Sequence, residues 1–147
     1  MEERIIDLKE LSQENRIKEL RNLLIEKDIR VSHQRLLILD YLSRNDIHPS
    51  ADMIFNDLKK IDPVISQATV YNTLKLFTEK NLVKELDFNL TSKRYEFTKH
   101  KHSHFICENC GKIIDIKDEN NYESDELSDY IIESIDITYR GLCPNCK

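Results

Sequence analysis

Two short stretches contain all four cysteines of the chain, Cys107-Glu108-Asn109-Cys110-Gly111 and Cys143-Pro144-Asn145-Cys146. Each is a Cys-x-x-Cys motif, whose spacing lets both thiolates bind one metal ion at about 2.3 Å. A glycine directly after the second cysteine favours the tight turn of such a motif. A redox role is typical of a single Cys-x-x-Cys, whereas two copies form a closed tetrahedral thiolate set. We therefore predict one structural zinc ion bound by Cys107, Cys110, Cys143 and Cys146.

The segment between the two motifs is long enough for a strand–helix–strand unit that the metal would close. Apolar and polar residues alternate just before and after the first motif and again before the second, as in short strands. Helical spacing of Leu127, Tyr130 and Ile131 predicts an acidic amphipathic helix between them. The predicted elements are strands at 104–106, 113–116 and 135–139 and a helix over 122–134.

The chain before these motifs shows mostly helical spacing of its apolar residues. Ser32 and Ser66 stand where helix caps are expected, and the period changes to alternation after Asn81. We predict one long or two short helices within 5–24, further helices over 34–42, 51–60 and 67–80, and a hairpin of 82–86 and 94–97. This order is typical of a winged helix-turn-helix domain, in which the last two helices form the helix-turn-helix and the hairpin is the wing.

The sequence therefore predicts an α+β chain of two domains. Residues 1–97 would form the winged-helix domain with an N-terminal helical extension, and 98–101 a polar hinge. Residues 102–147 would form a small α/β domain that contains the four-cysteine zinc site.

Charge is unevenly distributed along the 147 residues, whose net charge is −5. Residues 1–98 contain 16 Lys and Arg against 17 Asp and Glu, whereas residues 99–147 contain 6 against 10. The first part can thus still present a basic face to nucleic acid. There is no apolar run of membrane-spanning length, and the acidic start Met1-Glu2-Glu3 is unlike a signal peptide. We expect a cytoplasmic protein with no membrane partner, in a compartment where cysteines stay reduced.

A second candidate metal site lies just before the first cysteine motif. His100, His102 and His104 alternate and would point to one face of a strand. The hairpin closed by the motif would set His104 opposite Asp115. Such a mixed nitrogen and oxygen set suits iron, manganese or zinc. Spacing alone leaves open a solvated strand with polar residues.

Five motifs together resemble the ferric uptake regulator (Fur) superfamily, most closely its peroxide-responsive branch. They occur in the order of that family and span about residues 16–147. They are RVSHQR at 30–35, HPSAD at 48–52, ATVYNTL at 68–74, LVKE at 82–85 and HSHFICENCGK at 102–112.

The resemblance implies a homodimeric, metal-dependent transcriptional repressor whose C-terminal domain is the dimerisation domain. It also implies a regulatory site for Fe²⁺ or Mn²⁺, with Zn²⁺ as a further occupant in vitro, formed by His48, Glu96, His102, His104 and Asp115. In the peroxide-responsive branch, bound iron reacts with peroxide and a histidine ligand is oxidised, here predicted to be His48 or His102.

Two departures from the family pattern bear on what is sensed. The peroxide branch usually has Asp at the position of Glu96, whereas metal-sensing members usually have Glu both there and at the position of Asp115. An iron- or zinc-status sensor that represses metal-uptake genes is therefore the alternative. Lys101 and Ser103 replace the His and Asp that form a further site in many members. We predict two metal sites per subunit.

The second helix of a helix-turn-helix enters the major groove, where its N-terminal residues reach base edges. Tyr71 would contact a thymine methyl or a phosphate, and Asn72 an adenine or a backbone oxygen. A two-fold dimer predicts a palindromic operator. The candidate residues are Ser66, Gln67, Thr69, Tyr71 and Asn72 on the helix, and Lys27, Arg30, Arg35, Lys75, Lys93 and Arg94 for phosphates.

Two other classes of protein share some of these features. A metalloenzyme would use the histidine and carboxylate cluster to activate a metal-bound water, but the sequence offers no separate general base. A zinc-ribbon adaptor would bind proteins, which the sequence of the predicted recognition helix disfavours. We therefore expect a regulator and not an enzyme.

Overall fold

The computed structural model describes residues 7–88, 91–97, 102–117 and 122–147. The chain divides into two compact units, Met1–Thr98 and Lys99–Lys147, called here the N-terminal and C-terminal units. The predicted hinge, 98–101, and His100 lie outside the described residues. No helix in the described part of the chain is long and apolar enough to cross a membrane.

Four helices and one hairpin form the N-terminal unit. The helices are α1 (Gln13–Glu26), α2 (His33–Arg44), α3 (Ala51–Lys59) and α4 (Gln67–Glu79). The predicted helix within 5–24 is corrected by the structure, because residues 7–12 are not helical and α1 begins only after Ser12.

Serine side chains fix where all four helices begin. The predicted cap Ser32 accepts a hydrogen bond from the Arg35 amide at 3.2 Å, and Ser66 accepts one from the Thr69 amide at 3.1 Å. Each hydroxyl satisfies an amide that has no partner within the helix, which stabilises the first turn by about 1 kcal/mol. Ser12 and Ser50 cap α1 and α3 in the same way.

A continuous apolar core holds the four helices together. Removing large aliphatic and aromatic side chains from water stabilises a domain by about 1.5–3 kcal/mol for each. The largest members are fully buried and come from every helix: Leu20, Leu24, Ile38, Leu39, Leu42, Ile54, Leu58, Leu74 and Phe77. A buried ion pair also joins two helices, because Arg16 Nε of α1 donates to Asp40 Oδ1 of α2 at 2.6 Å.

The hairpin pairs β1 (Val83–Leu86) with β2 (Arg94–Phe97) in antiparallel register, with Lys84 opposite Glu96 and Leu86 opposite Arg94. It follows α4 directly, and Leu82, Val83 and Tyr95 belong to the apolar core. The hairpin is therefore the predicted wing, and α3 and α4 are the helix-turn-helix.

A three-stranded sheet forms the C-terminal unit, with strand order β4-β3-β5. The strands are β3 (His102–Cys107), β4 (Ile113–Lys117) and β5 (Thr138–Gly141). The β3–β4 pair is antiparallel with the predicted register, His104 opposite Asp115, and β5 lies parallel to β3. With this sheet the predicted α+β fold class is confirmed.

Two predictions for this unit are wrong. The helix expected over 122–134 is absent from the structure, which has there only a single 3-10 turn, Asp125–Leu127. The last strand begins at Thr138, three residues later than predicted. A helical stripe stabilises a helix mainly when it is buried, yet Leu127, Tyr130 and Ile131 are all exposed. Four carboxylates within 123–129 also repel one another.

Candidate functional site

The four cysteines form one cluster in the C-terminal unit, although Cys110 and Cys143 are 33 positions apart in the sequence. Their sulfur atoms all lie within 4.8 Å of one another, and the Cys110 and Cys143 sulfurs are 3.8 Å apart. That distance is far longer than a disulfide bond of about 2 Å. It matches the edge of a tetrahedron with metal–sulfur bonds of about 2.3 Å, which is about 3.8 Å. The cluster thus fits a zinc ion in size and donor type.

Turn geometry places the first pair of these sulfurs. Gly111 has a φ of +72°, as expected for the residue after the second cysteine, and its amide donates to the Cys107 carbonyl at 2.9 Å. The Cys107 amide in turn donates to the Lys112 carbonyl at 2.9 Å. In the second pair, the Cys146 amide donates to the Cys143 carbonyl at 2.9 Å.

Hydrogen bonds to its sulfur make the Cys107 thiol easier to ionise than an ordinary cysteine. Backbone N–H groups, that of Cys110 first and then that of Cys143, lower the pKa of the Cys107 thiol to about 6. The Cys143 amide lies 3.3 Å from this sulfur. Four thiolates at these distances repel one another strongly, so full ionisation of the cluster requires a cation between them.

The predicted regulatory residues fall into two groups, one in each unit. In the N-terminal unit His48, which precedes α3, and Glu96 of β2 are both buried, with His48 Nε2 3.3 Å from Glu96 Oε2. His48 has a φ of +51°, in the left-handed region that is uncommon for residues other than glycine. The pair offers one nitrogen and one carboxylate to a metal ion.

In the C-terminal unit, His102 and His104 project from one face of β3, and Asp115 stands opposite His104 on β4. The two histidine Nε2 atoms are 3.0 Å apart, and Asp115 Oδ1 is 3.7 Å from His102 Nε2 and 3.4 Å from His104 Nε2. Ligands of one ion with bonds of about 2.1 Å lie about 3.0–3.4 Å apart. The two distances from His104 Nε2 therefore fit adjacent positions around one cation, whereas the distance between His102 Nε2 and Asp115 Oδ1 is slightly longer.

The predicted DNA-contacting residues of α4 lie on its solvent side. Gln67, Tyr71, Asn72 and Lys75 are exposed, whereas Thr69 is half-buried. Ser66 is exposed but its hydroxyl caps the helix. Beside this face, the start of α2 and the first turns of α4 line a concave surface formed by Arg30, Val31, Ser32, Gln34, Arg35, Thr69, Asn72 and Thr73.

Some of the side chains predicted to contact phosphates already form hydrogen bonds or ion pairs within the protein. Arg35 donates to the Arg30 carbonyl at 2.7 Å, and Lys93 Nζ lies 2.7 Å from Glu85 Oε1 across the wing. Arg94 is half-buried and contacts atoms of the N-terminal unit. Lys75 and Arg30 are exposed, and Lys27 is half-buried.

One residue beside the predicted DNA-contacting residues of α4 was missed by the sequence analysis. The Tyr71 hydroxyl donates to Asp52 Oδ1 at 3.1 Å, which raises the pKa of Tyr71. With its proton directed at Asp52, the tyrosine oxygen offers only acceptor capacity to a further partner. The two residues lie 19 positions apart on different helices, so no local spacing connects them.

Comparison with known proteins gives relatives along most of the chain. The Peroxide-responsive repressor PerR of Staphylococcus epidermidis is 38% identical over 124 residues, which is 81% of this chain and 82% of that protein. The solved structure of PerR from Streptococcus pyogenes has a TM-score of 0.51 at 36% identity, covering 89% of this chain and 92% of that one. That structure is described as a basis for peroxide sensing and gene regulation.

The fold is also that of Fur from Helicobacter pylori, with a TM-score of 0.69 at 24% identity over 92% of this chain and 94% of that one. The model of the Ferric uptake regulator family matches residues 26–138. This match covers most of both units. The chain therefore belongs to the ferric uptake regulator family.

Proposed function

We propose that this protein is a metal-dependent, homodimeric transcriptional repressor of the cytoplasm that responds to peroxide. Residues 1–97 bind DNA, 98–101 act as a hinge, and 102–147 form the dimerisation domain. The observation that carries the proposal is the similarity to PerR repressors over most of both proteins. Because those relatives are named repressors, the similarity favours a regulator over a metalloenzyme.

DNA recognition is assigned to α4 in the major groove. Support comes from the exposed polar residues along its first turns, Gln67, Tyr71 and Asn72. Arg30 and Lys75 are exposed near the same face and are suited to phosphates. A two-fold dimer contacts two half-sites, so the operator is expected to be palindromic.

A structural zinc ion on the four cysteines would hold the C-terminal unit together. Its closed thiolate set leaves no open coordination position, so this ion is not the sensor. It would instead fix the β3–β4 hairpin that presents His102, His104 and Asp115.

The regulatory ion is Fe²⁺ or Mn²⁺, bound by both groups of nitrogen and carboxylate donors. His48 and Glu96 belong to the N-terminal unit, and His102, His104 and Asp115 to the C-terminal unit. This ligand set rests on the family resemblance and on the donor chemistry within each unit. An ion that needs ligands from both units shifts the population towards arrangements that satisfy all of them, which couples metal binding to DNA binding.

Ferrous iron, if held by these residues, would supply the electrons needed to cleave the O–O bond of peroxide, which is the chemistry that peroxide sensing requires. In the net reaction one oxygen atom of hydrogen peroxide is inserted into a ring C–H bond of His48 or His102, and water is the other product. The oxidised ring is a poorer ligand, so the coupling to DNA binding is lost. Glu96 in place of the usual Asp makes a metal-status sensor the second candidate.

The test begins by selecting a duplex from a random-sequence DNA library with the Mn²⁺-loaded protein. DNA affinity is then measured for Mn²⁺-loaded and Fe²⁺-loaded protein before and after brief peroxide treatment, with mass spectrometry of the histidine peptides. Peroxide should abolish binding only with Fe²⁺, and His48 or His102 should gain the mass of one oxygen atom. His33, which is 79% exposed and outside the ligand set, is the internal control for unspecific oxidation.

Two outcomes would contradict the proposal at different levels. If Fe²⁺-loaded protein keeps its DNA affinity and both histidines stay unmodified, peroxide sensing is wrong and the metal-status sensor stands. If His102→Ala binds the selected duplex equally well with and without metal, the regulatory site is wrong. Failure to select any sequence would exclude specific DNA binding.

A further inference from the structure

Arg94, the first residue of β2, is directed into its own unit. Its Nη1 donates to the His48 carbonyl at 3.2 Å and lies 3.5 Å from Met53 Sδ. Its Nε is buried and has no hydrogen-bond partner among the described residues. Among the residues that the structure describes, Nη1 thus directs the guanidinium towards the segment around His48.

The backbone that Arg94 contacts is strained. A left-handed conformation is unfavourable for a residue such as His48, whose φ is +51°, and it persists when neighbouring groups hold it. Two successive residues of β2 do so. Arg94 donates to the carbonyl of His48, and the Tyr95 amide donates to the carbonyl of Pro49 at 2.9 Å.

The third residue of the same strand meets the His48 ring. Glu96 Oε2 lies 3.3 Å from His48 Nε2, and Arg94 and Glu96 are two positions apart, so they project from one face of β2. The strand thus fixes both ends of His48, its carbonyl through Arg94 and its imidazole through Glu96.

We propose that Arg94 is a positioning residue for His48 and not a phosphate contact. The proposal rests on the proposed function, in which His48 and Glu96 bind the regulatory ion. It revises the sequence prediction because a guanidinium that turned to a phosphate would lose its hydrogen bond to the His48 carbonyl. The neighbouring Lys93 is exposed and pairs across the wing with Glu85, so it provides the comparison.

The experiment compares Arg94→Met, Arg94→Lys and the matched control Lys93→Met, each as full-length zinc-containing protein. Mn²⁺ affinity is measured by electron paramagnetic resonance, and DNA affinity as a function of salt concentration. Residues that orient a metal ligand typically change metal affinity by about 10–100-fold when removed. Arg94→Met should weaken Mn²⁺ binding by at least about tenfold, Arg94→Lys by less, and Lys93→Met should leave it unchanged.

A measurement without metal separates the positioning of His48 by Arg94 from an effect of the lost positive charge on DNA binding. In manganese-free protein, the Tyr95 amide proton should exchange faster in Arg94→Met than in wild type, and not in Lys93→Met. For Arg94→Met, the slope of log DNA affinity against log salt concentration should equal that of wild type. Loss of a phosphate contact would instead reduce the magnitude of this slope by about one.

The inference is overturned if a folded Arg94 variant binds Mn²⁺ as tightly as wild type does, or if the salt slope falls by about one. Arg94→Lys keeps the charge and serves if Arg94→Met fails to fold. If wild-type protein binds no Mn²⁺ beyond its zinc, the proposed regulatory site itself fails, and this result is separate from any property of Arg94.

Discussion

The two units bury apolar side chains to very different extents. In the N-terminal unit every helix contributes fully buried residues to one core. In the C-terminal unit, the buried apolar residues among those described are Ile106, Cys107 and Cys143. Along 122–142 seven tyrosine, leucine and isoleucine side chains are more than 40% exposed: Leu127, Tyr130, Ile131, Ile132, Ile135, Tyr139 and Leu142. The N-terminal unit is thus stabilised by its own core, whereas we expect the C-terminal unit to depend on its zinc site and on a partner surface.

The largest difference between the two units is expected when the zinc is removed. A structural zinc site contributes about 10 kcal/mol or more to folding. This exceeds the free energy that the sheet gains by burying its few apolar side chains. Cys143→Ser, or chelation of the wild type, should abolish amide protection in β3 and β4 and leave α2 and α4 protected. Hydrogen exchange resolved by segment checks this, with Asn145→Ser as the control in the same turn. Unchanged protection of β3 at zero zinc content would falsify the idea.

A core substitution should have the converse effect. Phe77 is fully buried, and Phe77→Ala should lower the free energy of unfolding of the N-terminal unit by about 3–5 kcal/mol because a cavity remains. Urea unfolding measures the loss, and zinc content should stay at the wild-type value. In the dilute chain, Leu127→Ala, at a residue that is 44% exposed, should change stability by less than about 0.5 kcal/mol. Equal losses of unfolding free energy in the two variants would contradict the view that apolar burial stabilises mainly the N-terminal unit.

Helix capping gives a smaller effect of the same kind. Ser66→Ala removes the acceptor for the Thr69 amide and should cost about 1 kcal/mol in urea unfolding. Ser124 precedes the 3-10 turn but makes no capping hydrogen bond, so Ser124→Ala should have little effect. A larger loss at Ser124 than at Ser66 would contradict this assignment.

The smallest effect on the single chain is expected at Ile131, which is 92% exposed. Ile131→Ser should leave the unfolding free energy of the dilute chain within about 0.5 kcal/mol of wild type. It should nevertheless weaken self-association, because the apolar residues of this segment are proposed to face a second copy. Sedimentation velocity over a range of concentrations checks this. Val64→Ser, at an exposed apolar residue of the N-terminal unit, should leave self-association unchanged.

Local interactions explain which elements could be predicted from sequence. Ser32 and Ser66 fix helix starts through hydrogen bonds that span three residues, so their effect can be inferred without tertiary context. The pairing of His104 with Asp115 follows from the turn that the first cysteine motif requires. The five motifs likewise identified the family, because they occur together and in order.

Predictions failed where tertiary partners decide the outcome. The spacing of Leu127, Tyr130 and Ile131 is helical, but spacing does not supply the surface on which such a stripe is stabilised. The contact of Asp52 with Tyr71 and that of Arg94 with His48 join residues 19 and 46 positions apart. Sequence patterns assign Arg94 a surface charge, and only the folded N-terminal unit gives it a different partner.

The register of the wing has a consequence for how this protein can vary. Seven residues join Leu86 to Arg94, and changing the length of such a turn alters loop entropy only slightly. A shift of one residue between β1 and β2, however, would turn Arg94 and Glu96 to the opposite face of the strand. Insertions in the turn should therefore be tolerated among relatives, whereas the pairing of Lys84 with Glu96 should be retained. The turn of the wing can then diverge among relatives while the contacts of β2 with His48 are inherited unchanged.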